Sequence, residues 1–352
     1  SGVCIDTRRI SAGNIFFALK GPNFDGNKYA AKALSNGAKY AVVDDRSLEN
    51  HPHMVLVEDG LKALQQLAKY HREFFTGPVL GITGSNGKTT TKELIMRVLA
   101  TSFRIHATVG NLNNHIGVPL TLLSMDVHHA DIAIIEMGAN HLGEIASYCE
   151  IAQPTHGIIT NIGSAHIGEF GGQENLIRAK SELFDFIRNN RGTVFINMED
   201  RVLNNMSKRF ENPELFPGNN FVLISSSPYV KYKNKEGVEH NTHIVGKYNF
   251  MNASAAMAIG TFFGVNEVKA YDALDSYEPD NNRSQIIKLG SNTIILDAYN
   301  ANPDSLEAAL QNLQSFKESK KMALIGDMKE LGDYSKKEHQ NIFDLVDKID
   351  TI

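Results

Sequence analysis

Short apolar runs alternate with longer amphipathic stretches through the middle of the chain, from residue 77 to about residue 285. The apolar runs lie at residues 79–83, 131–136, 156–160 and 193–197. Runs of this kind are typical of strands that are buried on both faces of a sheet, and the stretches between them have the period of helices that pack on such a sheet. The alternation predicts an α/β domain with a mostly parallel sheet.

A shorter unit is predicted before this domain. Apolar runs at residues 14–19 and 38–43 predict two strands, and the spacing of apolar residues from Leu61 to Phe75 predicts a helix. Pro78 then marks a boundary. The N-terminal segment is therefore expected to fold as a unit of its own.

A third unit is predicted after the polar stretch at residues 278–283. The runs at 292–297 and 321–326 predict strands, and Asn302 is placed to cap a helix that has Pro303 at its first position. This unit is short for a domain, so we expect the chain to stop inside its last domain. The expected domains are an N-terminal unit (residues 1–76), a central unit (77–284) and a C-terminal unit (285–352).

Composition and charge exclude several classes of protein. The chain has 35 basic and 40 acidic residues, a net charge of −5, and no basic run, so nucleic acid is not an expected partner. Cys4 and Cys149 are the only cysteines, which excludes a disulfide framework and indicates a reducing compartment. No apolar run approaches the roughly 18 residues that span a bilayer. We expect a soluble cytoplasmic protein that is not inserted in a membrane.

The clearest chemical signal follows the first strand of the central unit. The loop reads Gly84-Ser85-Asn86-Gly87-Lys88-Thr89-Thr90 and runs into a helical pattern. Its glycines allow backbone N–H groups to surround phosphate oxygens, Lys88 supplies a positive charge, and the Thr89 hydroxyl is a ligand for Mg²⁺. The first glycine of the usual phosphate loop is replaced by Ile82, and a plain glycine turn is the alternative. The apolar stripe of the following helix favours a site for a nucleoside triphosphate such as ATP.

Two polar side chains follow neighbouring strands of the same sheet. Glu136 ends one apolar run, and His166 comes shortly after the next one. Because ligands bind beyond the carboxyl ends of the strands in an open α/β sheet, both residues are expected near the phosphate loop, where they could bind a metal ion. The alternatives are a solvated carboxylate at a strand end and an ordinary loop histidine.

Two further features are ambiguous when they are taken alone. Lys180 lies in an amphipathic helical pattern, where a surface lysine is the usual interpretation. Asn111, Asn113 and Asn114 form a loop rich in amide groups that suits a polar substrate, but a plain turn explains them equally well.

Taken together and in order, these segments resemble the Mur ligase family, and within it the enzymes that add a dipeptide. The motifs that carry the resemblance are residues 6–8, 16–21, 23–26, 83–90, 110–114, 136–138, 161–166, 246–249, 252–253, 297–303, 326–328 and 330–332. Residues 163–170 depart from the usual family pattern around His166. The resemblance covers nearly the whole chain.

The resemblance implies an ATP-dependent amide ligation. The γ-phosphoryl group passes to the terminal carboxylate of a UDP-linked muramoyl tripeptide, and the amine of D-alanyl-D-alanine attacks the resulting acyl phosphate. Transfer between two anions requires cations around the phosphoryl group. The resemblance assigns this catalysis to Lys88, Glu136, His166 and Lys180. It also implies two Mg²⁺ ions, one bound through Thr89 and a second bound by Glu136, His166 and a carbamylated Lys180. It also implies a Rossmann-like C-terminal domain.

Further residues receive their roles from the resemblance alone. The nucleotide is expected to contact the central-unit residues Asn249 and Asn252 and to be enclosed by Arg283, Asp297, Tyr299, Asn300 and Asn302. The UDP-sugar is expected on the N-terminal unit, at Thr7, Arg8, Asn23, Phe24 and Asp25. Asn111, Asn113 and Asn114 are further candidates for contact with the substrate. The partners are small molecules, and a monomer is expected.

Other functions remain open at this point. The nearest are other amide ligases of the same superfamily, which add the third peptide residue or extend folates with glutamate. A different class is a regulatory NTPase that uses hydrolysis only to change shape, and full ATP turnover without either substrate would favour it. The sequence does not indicate whether the third residue of the peptide is lysine or a diamino acid.

Overall fold

The computed structural model describes residues 2–163, 165–218, 221–280, 282–316 and 320–346. Ser164 and Asn281, which belong to segments that the sequence singled out, and residues 347–352 lie outside these ranges. The fold is α/β with a mostly parallel central sheet, as predicted.

The N-terminal unit is a small sheet with two helices. Its strands are β1 (Val3–Cys4), β2 (Ile15–Phe17), β3 (Lys20–Gly21), β4 (Phe24–Asp25), β5 (Tyr40–Val43) and β6 (Met54–Leu56), and its helices are α1 (Ala30–Ser35) and α2 (Gly60–Glu73). Strands β1, β2, β5 and β6 pair in that order and are all parallel, whereas β3 and β4 form an antiparallel ladder. The two predicted strands and the predicted helix are confirmed as β2, β5 and α2.

Helix α2 connects the N-terminal unit to the central one. It begins at Gly60 because the side chain of Asp59 accepts a hydrogen bond from the backbone N–H of Lys62. Leu64 packs in the core of the N-terminal unit, and Ala68 packs one turn later in the core of the central unit. One helix face therefore contributes to two cores.

The central unit is built on six parallel strands. In chain order its elements are β7 (Val79–Thr83), α3 (Lys88–Leu99), β8 (Ile105–Ala107), α4 (Gly117–Leu123), β9 (Ile132–Glu136), α5 (Glu144–Ala152), β10 (His156–Ile159), α6 (Ile167–Phe170), α7 (Gln173–Asn189), β11 (Thr193–Asn197), α8 (Arg201–Ser207) and β12 (Glu214–Phe216). The strand order is β12-β11-β10-β7-β9-β8. All four predicted strands of this sheet are confirmed.

The position of β7 between β9 and β10 determines where the polar residues meet. Ile82 pairs with Glu136 on one side, and Thr83 pairs with Ile159 on the other. Because all three strands end at one edge, the loops that follow them lie side by side.

Later elements of the central unit cover one face of this sheet. They are β13 (Val222–Ser225), β14 (Lys231–Lys233), β15 (Glu239–Asn241), α9 (Lys247–Phe262) and α10 (Glu267–Asp275). The three strands form a separate antiparallel sheet, which the sequence did not predict. Helices α9 and α3 share one apolar core, so α9 lies directly behind the phosphate loop.

The C-terminal unit contains the hairpin β16 (Gln285–Leu289) and β17 (Asn292–Leu296), followed by α11 (Pro303–Ser315) and α12 (Ser335–Val346). The predicted strand at β17 and the helix capped by Asn302 are confirmed. The strand predicted at residues 321–326 is wrong, since this segment has no regular structure and Leu324 is 89% exposed. A strand needs a hydrogen-bonding neighbour, and no third strand joins the hairpin within the described residues.

Across the described ranges, no helix is long and apolar enough to cross a membrane.

Candidate active site

The phosphate loop connects β7 to α3 and depends on two glycines. Gly84 and Gly87 have φ values of 145° and 76°, which side chains rarely tolerate. A Cβ atom on Gly84 would collide with the Thr160 hydroxyl, and one on Gly87 would lie 2.9 Å from Oδ1 of Asn252. No side chain caps α3, so its first backbone N–H groups are available to an anion.

Lys88 is the first residue of α3 and folds back over the loop. Its Nζ donates hydrogen bonds to the carbonyl oxygens of Gly84, at 2.8 Å, and Ser85, at 3.1 Å. Enclosure by the site lowers the pKa of Lys88, the carboxylate of Glu136 opposes this shift, and the charge of Arg283 adds to it. The ammonium group is thus held within the loop that would surround a phosphate.

Glu136 is a buried carboxylate with one unpaired oxygen. Its Oε1 accepts hydrogen bonds from Nδ2 of Asn113, at 2.7 Å, and from the Thr89 hydroxyl, at 3.2 Å. Its Oε2 is buried without a hydrogen-bond partner. A buried unpaired carboxylate oxygen is costly unless a cation neutralises it. The oxygen atoms of Glu136 and Thr89 therefore fit a hard divalent cation such as Mg²⁺.

His166 lies at the start of α6, in the left-handed region with a φ of 61°. Its Nδ1 is 2.6 Å from Oε2 of Glu330 and 3.6 Å from Oε2 of Glu169, although neither contact is aligned as a hydrogen bond. Burial lowers the pKa of His166 to about 4, and the charges of Lys88 and Lys180 add to the shift. This shift favours the neutral imidazole, which is the form that binds metals.

Lys180 lies on α7 and is not a surface residue, because it is only 1% exposed. Its Nζ donates a hydrogen bond to the carbonyl oxygen of Ala139 at 3.2 Å and lies 5.2 Å from the centre of the Phe170 ring. Burial lowers the pKa of Lys180 to about 7, and repulsion from Lys88 acts in the same direction. A substantial fraction of this amine is neutral at neutral pH, so it can act as a nucleophile.

The amide-rich loop has mixed roles. Asn113 and Asn114 line the same cavity as Lys88, whereas Asn111 is exposed outside it. Oδ1 of Asn114 accepts hydrogen bonds from the backbone N–H groups of Ile116 and Gly117, so this side chain also shapes the turn before α4. Asn113 is the member of the loop that contacts the Glu136 carboxylate.

Residues after the central sheet form the opposite wall of the cavity. Arg283 lies over the Tyr299 ring at 3.9 Å from its centre, and Nδ2 of Asn302 donates a hydrogen bond to Oδ1 of Asn86 at 2.6 Å. Asp297 and Asn300 line the same wall.

Asn249 and Asn252 line the cavity from α9. Oδ1 of Asn252 accepts a hydrogen bond from the Thr91 hydroxyl at 3.0 Å, and its Nδ2 donates one to Oδ1 of Asn249 at 2.9 Å. The cavity as a whole has a volume of about 770 Å³, which suits a ligand of nucleotide size.

Sequence profiles of three Mur ligase domains match this chain. The profile of the Mur ligase family catalytic domain matches residues 1–72, that of the Mur ligase middle domain matches residues 82–260, and that of the Mur ligase glutamate ligase domain matches residues 282–352. The chain belongs to the Mur ligase family.

Relatives within the family match nearly the whole of this chain, which spans about three quarters of their own length. The UDP-N-acetylmuramoyl-tripeptide–D-alanyl-D-alanine ligase of Bacillus subtilis is 39% identical, in an alignment that covers 100% of this chain and 79% of the relative. The Escherichia coli ligase of the same name is 31% identical, with 97% of this chain and 77% of the relative covered.

Solved structures of Mur ligases have the same fold. MurF from Acinetobacter baumannii superposes with a TM-score of 0.90 at 32% identity, covering 99% of this chain and 78% of that one. MurF from Thermotoga maritima, in complex with ADP, superposes with a TM-score of 0.88 at 29% identity, covering 99% of this chain and 82% of that one.

The predicted UDP-sugar residues of this Mur ligase do not line the cavity. Thr7, Arg8, Asn23, Phe24 and Asp25 lie on the N-terminal unit, where Arg8 pairs with Asp6 and Phe24 stacks on Tyr29. A link to the cavity is provided by Gln65 of α2, which donates a hydrogen bond to the carbonyl oxygen of His115.

Sequence reasoning missed several residues that line the cavity. They are His115, Glu144, Tyr148, Asn197, Tyr248 and Glu330. The only sequence feature that pointed to Glu330 was its position in a motif shared with the family. Its contact with His166 joins segments that are far apart in the sequence.

Proposed function

We propose that this chain is an ATP-dependent amide ligase that adds D-alanyl-D-alanine to UDP-N-acetylmuramoyl-tripeptide, in the cytoplasmic stage of peptidoglycan synthesis. The observation that carries the proposal is the buried, half-unpaired carboxylate of Glu136 beside Thr89 and Lys88 of the phosphate loop. The names of the relatives at 31–39% identity supply the substrates.

The reaction begins with phosphoryl transfer to the carboxylate of the tripeptide. The first N–H groups of α3 and the Lys88 ammonium bind the phosphates of ATP and stabilise the charge that develops during the transfer. The product is an acyl phosphate. The amine of the dipeptide attacks its carbonyl carbon, the C–O bond to phosphate breaks, the amide forms, and the amine proton is released.

Thr89, Glu136, His166 and a carbamylated Lys180 are the residues that would hold Mg²⁺. When bound, the metal would neutralise charge on the phosphates and on the carboxylate of the tripeptide. Glu136 offers its unpaired oxygen, and His166 offers a neutral ring nitrogen.

The environment of Lys180 supports the proposal that this residue is carbamylated. The neutral amine attacks the carbon of CO₂, a C–N bond forms, one C=O electron pair moves to oxygen, and a proton is lost to solvent. The lysine thereby becomes an anion. Its burial and its pKa of about 7 support this proposal, because burial disfavours the ammonium form.

The three units divide the binding of substrates. The N-terminal unit holds the UDP-sugar through Thr7, Arg8, Asn23, Phe24 and Asp25. Asn249 and Asn252 face the nucleotide, and the wall that contains Arg283, Asp297, Tyr299, Asn300 and Asn302 encloses it. The enzyme acts as a monomer on small-molecule substrates.

Product formation and phosphate release test the proposal together. With ATP, Mg²⁺ and UDP-muramoyl tripeptide, phosphate release should require D-alanyl-D-alanine and should equal the amount of ligated product. Replacing the dipeptide with lysine or diaminopimelate tests for the activity that adds the third peptide residue. Supplying glutamate together with folate, in place of the dipeptide and the UDP-linked substrate, tests for the activity that extends folates. Full ATP turnover without either substrate would indicate a regulatory NTPase instead.

A further inference from the structure

Lys92 is a buried lysine that the proposed reaction does not use. It lies on α3, one helical turn after Lys88, and is 1% exposed. Its Nζ donates a short hydrogen bond to the carbonyl oxygen of Thr108 and lies 3.0 Å from Oε1 of Glu93. A buried ammonium group is costly unless its contacts compensate for lost hydration, so these contacts define where the surrounding backbone can lie.

Thr108 connects this lysine to Glu136. Thr108 follows β8 and is 1% exposed. Its hydroxyl accepts a hydrogen bond from the backbone N–H of Glu136 at 3.0 Å, and its own N–H donates one to the carbonyl oxygen of Ile134, also at 3.0 Å. Thr108 therefore makes hydrogen bonds to the end of strand β9 on one side and to Lys92 on the other.

These contacts form a closed ring of residues that includes Glu136. Lys92 contacts Thr108, Thr108 contacts the backbone of Glu136, and the side chain of Glu136 contacts Thr89. Thr89 and Lys92 lie three residues apart on α3, which places them on one face of the helix. The ring fixes the position of the Glu136 carboxylate relative to the Thr89 hydroxyl.

We propose that Lys92 is a positioning residue for the metal site. It acts through Thr108 to hold the Glu136 carboxylate opposite the Thr89 hydroxyl. The inference rests on the proposed function, in which Glu136 and Thr89 bind Mg²⁺. Partners of metal ligands commonly change metal affinity by about 10- to 100-fold when they are removed.

The experiment measures Mn²⁺ binding by electron paramagnetic resonance in the presence of a non-hydrolysable ATP analogue, with the melting temperature recorded for each variant. Lys92→Met and Thr108→Val should each raise the Kd for Mn²⁺ by about tenfold or more. Lys92→Arg keeps a cation and a donor and should restore most of the affinity. Nucleotide affinity without metal should be unchanged in all three variants.

Two controls match these changes outside the site. Arg72→Met removes another buried cation that donates to backbone carbonyl oxygens, and Thr242→Val removes another buried hydroxyl. Both should lower the melting temperature and leave the Kd for Mn²⁺ within about twofold of wild type, which is what a purely structural role predicts.

The outcomes separate the two proposals. A folded Lys92→Met variant with the wild-type Kd for Mn²⁺ overturns the role of Lys92. If Lys92→Met does not fold, an unchanged Kd in Thr108→Val overturns it. If Glu136→Ala also leaves Mn²⁺ binding unchanged, the metal site of the proposed function is itself wrong. If Glu136→Ala binds Mn²⁺ more weakly but Lys92→Met and Thr108→Val bind it as wild type does, only the role of Lys92 is rejected.

Discussion

The side chain of Asn302 donates a hydrogen bond to the side chain of Asn86, with 2.6 Å between the nitrogen and the oxygen. Asn86 belongs to the phosphate loop, and Asn302 is the N-cap of α11 in the C-terminal unit. This contact connects the loop expected to bind ATP to the wall expected to enclose it.

Removing this contact should weaken ATP binding without unfolding α11. Asn302→Ser keeps an oxygen that can cap the helix but is too short to reach Asn86. Loss of one hydrogen bond, about 1 kcal/mol, should raise the KM for ATP by roughly fivefold. Gln311→Ala, on the exposed face of the same helix, is the control. An unchanged KM in Asn302→Ser would show that the contact is incidental.

Lys88→Ala should abolish ligation. The ammonium group is expected to stabilise the transferring phosphoryl group, and removal of one such stabiliser costs roughly 3 kcal/mol, a loss of 10²- to 10³-fold in kcat. Binding of the UDP-linked substrate, measured by calorimetry, should persist because it involves another unit. Lys69→Ala changes a partly exposed lysine on α2 and should behave as wild type. Near-normal turnover in Lys88→Ala would contradict the phosphate-loop interpretation.

Glu136→Gln should raise the Mg²⁺ concentration required for half-maximal activity by at least about tenfold, because a neutral amide is a poorer ligand for a hard cation. His166→Ala should act in the same direction. The KM for the dipeptide should change less in both variants. Glu150→Gln, an exposed carboxylate on α5, is the matched control. An effect limited to the KM for the dipeptide would place Glu136 in the pocket that binds D-alanyl-D-alanine.

Lys180→Ala should lose most activity, since the site would then lack one anionic ligand. A short carboxylic acid such as acetate should restore part of it by entering the space that the side chain leaves. The same acid should not stimulate the wild-type enzyme. Absence of rescue, together with wild-type activity that does not depend on CO₂ and bicarbonate, would remove the carbamate from the mechanism.

His156 should make the fold sensitive to acid. Burial lowers its pKa to about 4, so the folded protein keeps the imidazole neutral while the unfolded chain protonates near 6.5. The contribution of His156 to the free energy of unfolding is fully present above pH 6.5 and is lost as the pH falls towards 4. The loss is about 2 kcal/mol between pH 7 and pH 5. In urea denaturation, His156→Leu should remove that share of the pH dependence. An identical dependence in both proteins would contradict the assignment.

The sequence predicted the edge of the sheet better than it predicted individual contacts. Glu136 could be placed near the phosphate loop because parallel strands end together, and that rule needs only the order of elements. The burial of Lys180 could also have been predicted from the sequence. Lys180 lies four residues from both Leu176 and Phe184, which are buried on the same helix face.

Other features depend on tertiary structure that local patterns do not encode. Residues 321–326 have the composition of a strand, but a strand exists only where a neighbouring strand pairs with it. The contact between His166 and Glu330 joins two units, and both residues adopt the left-handed conformation that bulky side chains disfavour. The sequence therefore predicted the class of site but not the residues that complete it.

The cavity has walls on two sides, with Lys88 and Asn86 on one and Asn302 and Tyr299 on the other. A small molecule that filled it would touch both walls at once. Its escape would then require the walls to separate, so its residence time would be set by that motion as well as by its own contacts. Inhibitors that bridge the two walls should therefore dissociate more slowly than compounds of equal affinity that touch the phosphate loop alone.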